Sequence, residues 1–367
     1  MSKRPYILKV CLLGFFLFGI LAGISISGTG KIICDFCKRE IISGKYIEVN
    51  GKYYHPDHFY CDKCGAPLAS KKYILVDGKH YCQKCYDSNY AAKCAYCGEL
   101  IRGEYVEYEG KAYHKNCYNN HVALKCSLCG GIIEGRYIHD YWGNVYHQHH
   151  QGNNSQCMYC GRFISDKVSQ GGNVYPDGRR VCGICQRNAV NDINTARKLL
   201  ENVVIRLGQF GIHINHNKIK FSLVGKDRLN ELTHDSLGNH AGLTNYEGKS
   251  VSGRLVSKKY DIYILYGMPR SAFLATAAHE LRHVWQYENA SMEIDPALCE
   301  GSCNYASFLI LQDERDDLAD YILDNMEHDP DIFYGDGYRR VKKFAGRLGV
   351  EYWLRHLKSN KNFPFGY

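Results

Sequence analysis

Two histidines and two glutamates in the second half of the chain have types and spacing that could perform hydrolysis. The segment His279-Glu280-Leu281-Arg282-His283 has the pattern His-Glu-x-x-His, and Glu300 follows it after 16 residues. Imidazoles four positions apart share one helix face, so both can bind one Zn²⁺ while Glu280 acts as a base on water. Glu300 would be the third ligand and leave one position open, as a catalytic zinc site requires. The alternative is an exposed helix face with two histidines, and a glutamate favoured by the dipole of a helix start.

The elements around these residues can be predicted from hydrophobic periodicity. Apolar residues recur at helical spacing over 271–288, and Pro269 suits the start of that helix. Further helices are predicted at 189–208 and 305–323, and strands at 219–224 and 260–266. The strand at 260–266 precedes the helix with both histidines, so we expect it to pair with an extended substrate.

The first half of the chain is rich in cysteine, with 15 of the 18 cysteines between residues 34 and 185. They form x2-spaced pairs, some completed by histidine, that alternate with longer loops. Fifteen Cys and five His make twenty ligands, enough for five tetrahedral structural zinc sites. The predicted sets are Cys34, Cys37, His55 and His58; Cys61, Cys64, Cys82 and Cys85; Cys94, Cys97, His114 and Cys117; Cys126, Cys129, His147 and His150; and Cys157, Cys160, Cys182 and Cys185.

Two alternatives concern these metal sites. A disulfide scaffold is possible in an exported protein, but disulfides do not require histidine at a fixed spacing from cysteine. In the fourth set, His149 competes with His150 as the ligand.

The composition and the N-terminal segment limit the classes of protein to which this chain can belong. An apolar fraction of 45% and a charged fraction of 23% exclude a disordered, collagen-like or polytopic membrane protein. The net charge of +8 does not indicate nucleic-acid binding, because no dense basic stripe is present and zinc thiolates would lower it. A basic start followed by the uncharged run 10–26 predicts a signal peptide or membrane anchor over residues 1–28. The protein is then expected to be exported or membrane-anchored, and a cytoplasmic location is the alternative.

Residues 34–85 resemble a LIM domain, including the two-residue link between its zinc sites, and 94–185 are similar to degenerate LIM material. The second half resembles the peptidase domain of the DA-one family, LIM-containing plant regulators of organ size and their bacterial relatives. The resemblance rests on ILYGMPRSAFLATAAHELRHVW, LCEGSCNY and FYGDGYRRVKKFAGRLGVEYWLRHL. It implies zinc ligands at His279, His283 and Glu300, a general base at Glu280, and support for the site from the YGDGY segment. In contrast to the plant members, no ubiquitin-interacting helices precede the LIM domain, and the module at 94–117 is additional.

The predicted fold class is α+β, with tandem LIM-like zinc modules followed by a mainly helical gluzincin-type metallopeptidase domain. The expected domains are 1–28, 34–85, 94–185 and 188–367. The predicted function is cleavage of protein substrates, with one catalytic and about five structural Zn²⁺, protein docking through the LIM modules, no nucleic-acid partner, and membrane contact if the N-terminus is retained. The alternative is an inactive LIM-type adaptor.

Overall fold

The computed structural model describes residues 31–42, 44–234, 240–251, 254–290 and 293–366. Over these residues the chain is a mixed α/β protein with eleven α-helices and a series of small Cys/His modules. Contacts divide it into two units, one of residues 31–125 with 131–136 and the other of 126–130 with 137–366. The fourth and fifth zinc modules thus group largely with the C-terminal helices, whereas the first three modules form the other unit.

Each zinc module contains a short antiparallel hairpin that returns the chain to its metal cluster. Asn50-Gly51, Asp77-Gly78 and Glu109-Gly110 all have positive φ at both residues, as the two-residue turn of a right-twisted hairpin requires. The hairpin strands are Ile47–Val49 with Lys52–Tyr54, Tyr73–Val76 with Lys79–Cys82, Tyr105–Tyr108 with Lys111–His114, Tyr137–His139 with Val145–His147, and Gly172–Val174 with Arg180–Cys182. Short helices in the modules are Gln83–Asn89, Lys115–Cys117, Asp166–Ser169 and Gly183–Gln186.

The C-terminal part combines seven of the described helices with a three-stranded sheet. The helices are Ile193–Gln209, Lys226–Thr233, Arg270–Asn289, Pro296–Leu311, Asp317–His328, Gly337–Leu348 and Val350–Ser359. The strand Arg254–Leu265 is central, parallel to Ile219–Val224 on one side and antiparallel to Gly242–Val251 on the other. The short strands Ala189–Val190 and Met268–Pro269 pair separately.

Two helices carry the candidate ligands of the catalytic metal. The metal-site helix, Arg270–Asn289, agrees with its prediction to within one residue at each end. The glutamate helix, Pro296–Leu311, begins nine residues earlier than the predicted start at 305, and a break at 312–316 separates it from Asp317–His328. Asp295 and Asp316 accept backbone N–H bonds at the starts of Pro296–Leu311 and Asp317–His328, so an aspartate cap marks each.

The strand predicted at 260–266 and the helix predicted at 189–208 are both present, but the role expected of the first and the start of the second are wrong. The strand predicted at 260–266 is the central strand, and since both its edges are paired it cannot also pair with a substrate. The helix predicted from 189 begins at Ile193, because Ala189–Val190 pairs as a strand and Asp192 caps the helix.

The expectation of membrane anchoring or export is contradicted. None of the helices within residues 31–366 is long and apolar enough to cross a bilayer. The apolar run 10–26 on which that expectation rested lies outside the described residues.

Candidate metal centre

The metal-site helix and the glutamate helix bring three potential ligand atoms together. Nε2 of His279 lies 3.2 Å from Nε2 of His283, since residues four apart share one helix face. Oε2 of Glu300 lies 3.2 Å from Nε2 of His279 and 3.6 Å from Nε2 of His283. The three residues predicted as ligands of the catalytic zinc therefore converge.

The spacing of these atoms fits one zinc ion. With metal–ligand bonds of about 2.0–2.1 Å, two ligands of a tetrahedral ion lie about 3.3–3.4 Å apart. Oε2 of Glu300 is buried and has no hydrogen-bond partner, an arrangement that a cation would relieve. The three side chains remain 16–22% exposed, so a fourth ligand could approach from solvent.

Each imidazole is oriented by an amide side chain. Nδ1 of His279 lies 3.0 Å from Oδ1 of Asn304, and Nδ1 of His283 lies 3.1 Å from Oε1 of Gln286. The amide NH₂ groups donate in turn to the backbone oxygens of Tyr334 and Cys299, each at 3.0 Å, so the amide oxygens face the histidines. Because an amide oxygen only accepts, each Nδ1 carries a proton, which leaves each Nε2 as the atom available to a metal. Neither amide was predicted from the sequence as part of the site.

The carboxylate faces the two imidazoles in a mostly buried position. Burial acts to raise the pKa of Glu300, but His279 and His283 hold it well below its ordinary value. The ionised form is the one that binds a metal. The site therefore favours the protonation state that a zinc ligand needs.

Glu280, the predicted base, directly follows His279 on the metal-site helix. It is 6% exposed, and its Oε2 accepts a hydrogen bond from the hydroxyl of Thr244 at 2.7 Å. Thr244 belongs to the edge strand, Gly242–Val251, which packs against this helix. A Cβ atom at Gly242 would lie 2.7 Å from Oε1 of Glu280, so only glycine lets the strand approach this closely.

The YGDGY segment contributes one residue to the site. The backbone oxygen of Tyr334 accepts the Asn304 hydrogen bond, and its ring stacks on His279 with centroids 6.1 Å apart. Tyr338 instead donates to Glu327 at 2.9 Å, and Asp336 lies 3.9 Å from Arg339. Glycines give the segment its close approach to the glutamate helix, since a Cβ at Gly301 would lie 2.2 Å from the backbone of the segment.

Arg282 occupies one of the two variable positions of the His-Glu-x-x-His motif and is fully buried. None of its three guanidinium nitrogens has a hydrogen-bond partner. Its guanidinium carbon lies 4.1 Å from the ring centre of Trp285 and 4.8 Å from that of Trp353. Two aromatic faces thus hold the cation, which explains why an arginine is tolerated here.

The structure also assembles the five clusters predicted as structural zinc sites. The ligand atoms within each lie within 4.8 Å of one another, and the fourth cluster contains His147 and His150. Every cysteine among the described residues is free, which disfavours the disulfide alternative. The Cys/His clusters therefore support structural zinc binding.

Comparison with known proteins matches both the modules and the chain as a whole. The family model of the LIM domain matches residues 34–90. "Protein DA1-related 2" of Arabidopsis thaliana is 24% identical over 90% of this chain and 70% of its own length. "LIM domain-containing protein HDR3" of Oryza sativa subsp. japonica is 24% identical over 91% of this chain and 74% of its own length. "PDZ and LIM domain protein 7" of Gallus gallus is 35% identical, but over 20% of this chain.

The long matches confirm the resemblance to the DA-one family, and the short match is limited to the LIM region. LIM domains are protein-interaction modules, which supports a role in protein interaction or regulation for the first half. The chain thus contains a LIM domain at residues 34–90 and is similar to DA1-related proteins over about nine-tenths of its length.

Proposed function

We propose that the C-terminal part is a zinc-dependent metallopeptidase and that the LIM-type modules dock or select its protein substrates. The observation that carries the proposal is the convergence of Nε2 of His279, Nε2 of His283 and Oε2 of Glu300 within 3.2–3.6 Å. When bound there, Zn²⁺ would polarise a substrate carbonyl and lower the pKa of a water molecule.

Glu280 would move the proton in this reaction. It follows the first histidine on the helix, and Thr244 donates to one of its two carboxylate oxygens. The carboxylate would accept a proton from the attacking water and pass it to the leaving amine nitrogen of the cleaved peptide. Thr244 would hold the acceptor in place while the proton moves.

The edge strand would bind the substrate backbone. Within the described residues, Gly242–Val251 pairs with the central strand on one side and with no strand on the other. An extended peptide added to the outer edge would lie beside the metal-site helix, and backbone hydrogen bonds would align it without a fixed sequence. Tyr334, stacked on His279 and 41% exposed, would line the same site.

The test is a Glu280→Gln variant, compared with the intact chain and with Glu201→Gln. Glu201 is an exposed glutamate of the helix Ile193–Gln209 and serves as the control. Protein N-termini are compared between cells expressing each form. New N-termini should depend on the intact chain, persist with Glu201→Gln and disappear with Glu280→Gln, while all forms keep about six zinc ions.

Cleavage that survives Glu280→Gln would end the proposed mechanism. If cells expressing each of the three forms have the same N-termini as cells without the chain, at equal zinc content, the result would instead favour the inactive LIM-type adaptor.

A further inference from the structure

The fifth zinc module, residues 157–185, differs from the other four in its burial. All four of its ligands, Cys157, Cys160, Cys182 and Cys185, are buried, whereas each of the other modules has a single buried ligand. The residues that cover it include Leu318 of the helix Asp317–His328. Residues of the C-terminal unit shield this metal cluster, so the module's contacts within that unit indicate its role.

One set of contacts reaches the chain just before the metal-site helix. Arg179, in the turn of the module's hairpin, has a side chain only 1% exposed. Its Nη1 donates to the backbone oxygen of Tyr266 at 2.8 Å and to the hydroxyl of Tyr159 at 3.0 Å. Its Nη2 lies 2.9 Å from Oδ2 of Asp177. Because Tyr266 is four residues before the first residue of the helix, this arginine ties the zinc hairpin to the helix start.

Neighbouring groups secure the same loop from other directions. Asp177 also accepts the backbone N–H of Lys226 at 3.0 Å, at the start of the helix Lys226–Thr233. The backbone N–H of Gly267 donates to the backbone oxygen of Val190 at 2.7 Å. Gly267 has a φ of +72°, and a Cβ there would lie 2.6 Å from the hydroxyl of Tyr175. The side chain of Tyr175 therefore packs directly against the backbone at Gly267.

A second, separate route runs through the helix Asp317–His328. The ring of Tyr321 lies 5.2 Å from that of Trp142, whose Nε1 donates to the backbone oxygen of Cys160 at 2.8 Å. Asp316, the cap of the same helix, accepts a hydrogen bond from the hydroxyl of Ser271 in the first turn of the metal-site helix. The module therefore reaches the start of that helix from two sides.

We propose that the fifth zinc module is a structural part of the metal centre, with Arg179 and Asp177 as positioning residues that set the placement of His279 and His283. This inference deepens the proposed function, since it concerns the same site. His279 lies nine residues into the helix, about 13 Å from its start at 1.5 Å per residue. A tilt of about 5° at the start would therefore move the imidazole by about 1 Å, several times the tolerance of about 0.2 Å for zinc–ligand distances.

The test measures metal binding to the His–His–Glu site of the full chain, without any need for activity. A mild chelator removes metal from this three-ligand site first, while the four-ligand cysteine sites keep their zinc. The site is then titrated with Co²⁺, and the visible absorption spectrum and affinity are recorded. Arg179→Met removes the hydrogen bonds, and Arg180→Met changes the adjacent, exposed arginine as the matched control.

We expect Arg179→Met to weaken Co²⁺ binding about tenfold or more and to change the spectrum, as loss of an outer positioning contact does. Arg180→Met should match the original chain, and Arg179→Lys should restore part of the affinity because its ammonium can still reach the carbonyl of Tyr266. Asp177→Asn should also weaken Co²⁺ binding, but by a smaller factor. It replaces Arg179→Met as the test variant if Arg179→Met does not fold.

Co²⁺ affinity and spectrum unchanged in both Arg179→Met and Asp177→Asn would overturn the inference. That result would leave the peptidase proposal standing. Conversely, cleavage that survives Glu280→Gln would end the peptidase mechanism without affecting the Co²⁺ measurement.

Discussion

Replacing Gly242 with alanine tests the contact between the edge strand and Glu280. The added methyl group would lie 2.7 Å from Oε1 and 2.9 Å from Cγ of Glu280, and 2.8 Å from Cγ2 of Thr276. All three distances are well below ordinary van der Waals contact, so either the strand or the glutamate must move. The backbone of this strand suits alanine, and the effect is therefore purely steric.

The size of the effect follows from which group moves. If the strand moves away from the helix, the free energy of unfolding should fall by about 1–3 kcal/mol, the usual cost of overpacking. If the carboxylate moves, it loses the 2.7 Å hydrogen bond from Thr244, and a displacement of about 1 Å should lower the cleavage rate about 100-fold. We expect the second outcome to dominate, because the end of a side chain moves more easily than a paired strand.

The assay combines thermal unfolding with cleavage of a substrate found by the N-terminal comparison. Gly346→Ala is the control, since that position lies in the helix Gly337–Leu348 with nothing within 4 Å of the new methyl group. It should keep full cleavage and gain up to about 1 kcal/mol in stability. A Gly242→Ala protein with unchanged cleavage and unchanged stability would refute the close packing of Glu280 against the edge strand.

Two further predictions concern the fourth zinc module and the buried arginine. His150→Ala should lower the zinc content by one ion per chain and His149→Ala should not, because Nε2 of His150 is buried in the ligand cluster and has no hydrogen-bond partner. Elemental analysis measures the zinc content, and loss of zinc from His149→Ala alone would make His149 the ligand. Arg282→Met should raise the free energy of unfolding by about 1–3 kcal/mol, since it removes a buried cation without hydrogen bonds. Burial lowers the pKa of Arg282 to about 10, so this gain should shrink as the pH rises above that value. A clear loss of stability in denaturant unfolding would show that the two tryptophan contacts outweigh the burial cost.

The ligands of the metal sites could be predicted from the sequence because most of them are close together along the chain. The ligands within each knuckle are three residues apart, and His279 and His283 are one helical turn apart, so short-range geometry alone brings each pair together. The helix over 271–288 could likewise be predicted, because apolar residues recur at its period. Glu300 could be chosen as a ligand from its position after the motif.

The groups that orient the site could not be found in this way. Asn304 and Gln286 are ordinary polar residues of helices, and their role depends on how the metal-site helix packs on the glutamate helix. Thr244 reaches Glu280 only because the edge strand crosses the metal-site helix at a glycine. The strand predicted at 260–266 is present, but the expectation that it pairs with a substrate failed for the same reason, since a strand's neighbours are set by pairing across the sheet.

The sequence by itself determined the residues that can bind metal and their grouping into short pairs, since these depend on covalent spacing and helical period. Tertiary structure alone decided which strand has an unpaired edge, which amides hold the imidazoles, and that the fifth zinc module supports the metal-site helix. Those features arise from contacts between residues far apart in the chain, such as the 87 positions between Arg179 and Tyr266, and no local pattern encodes them.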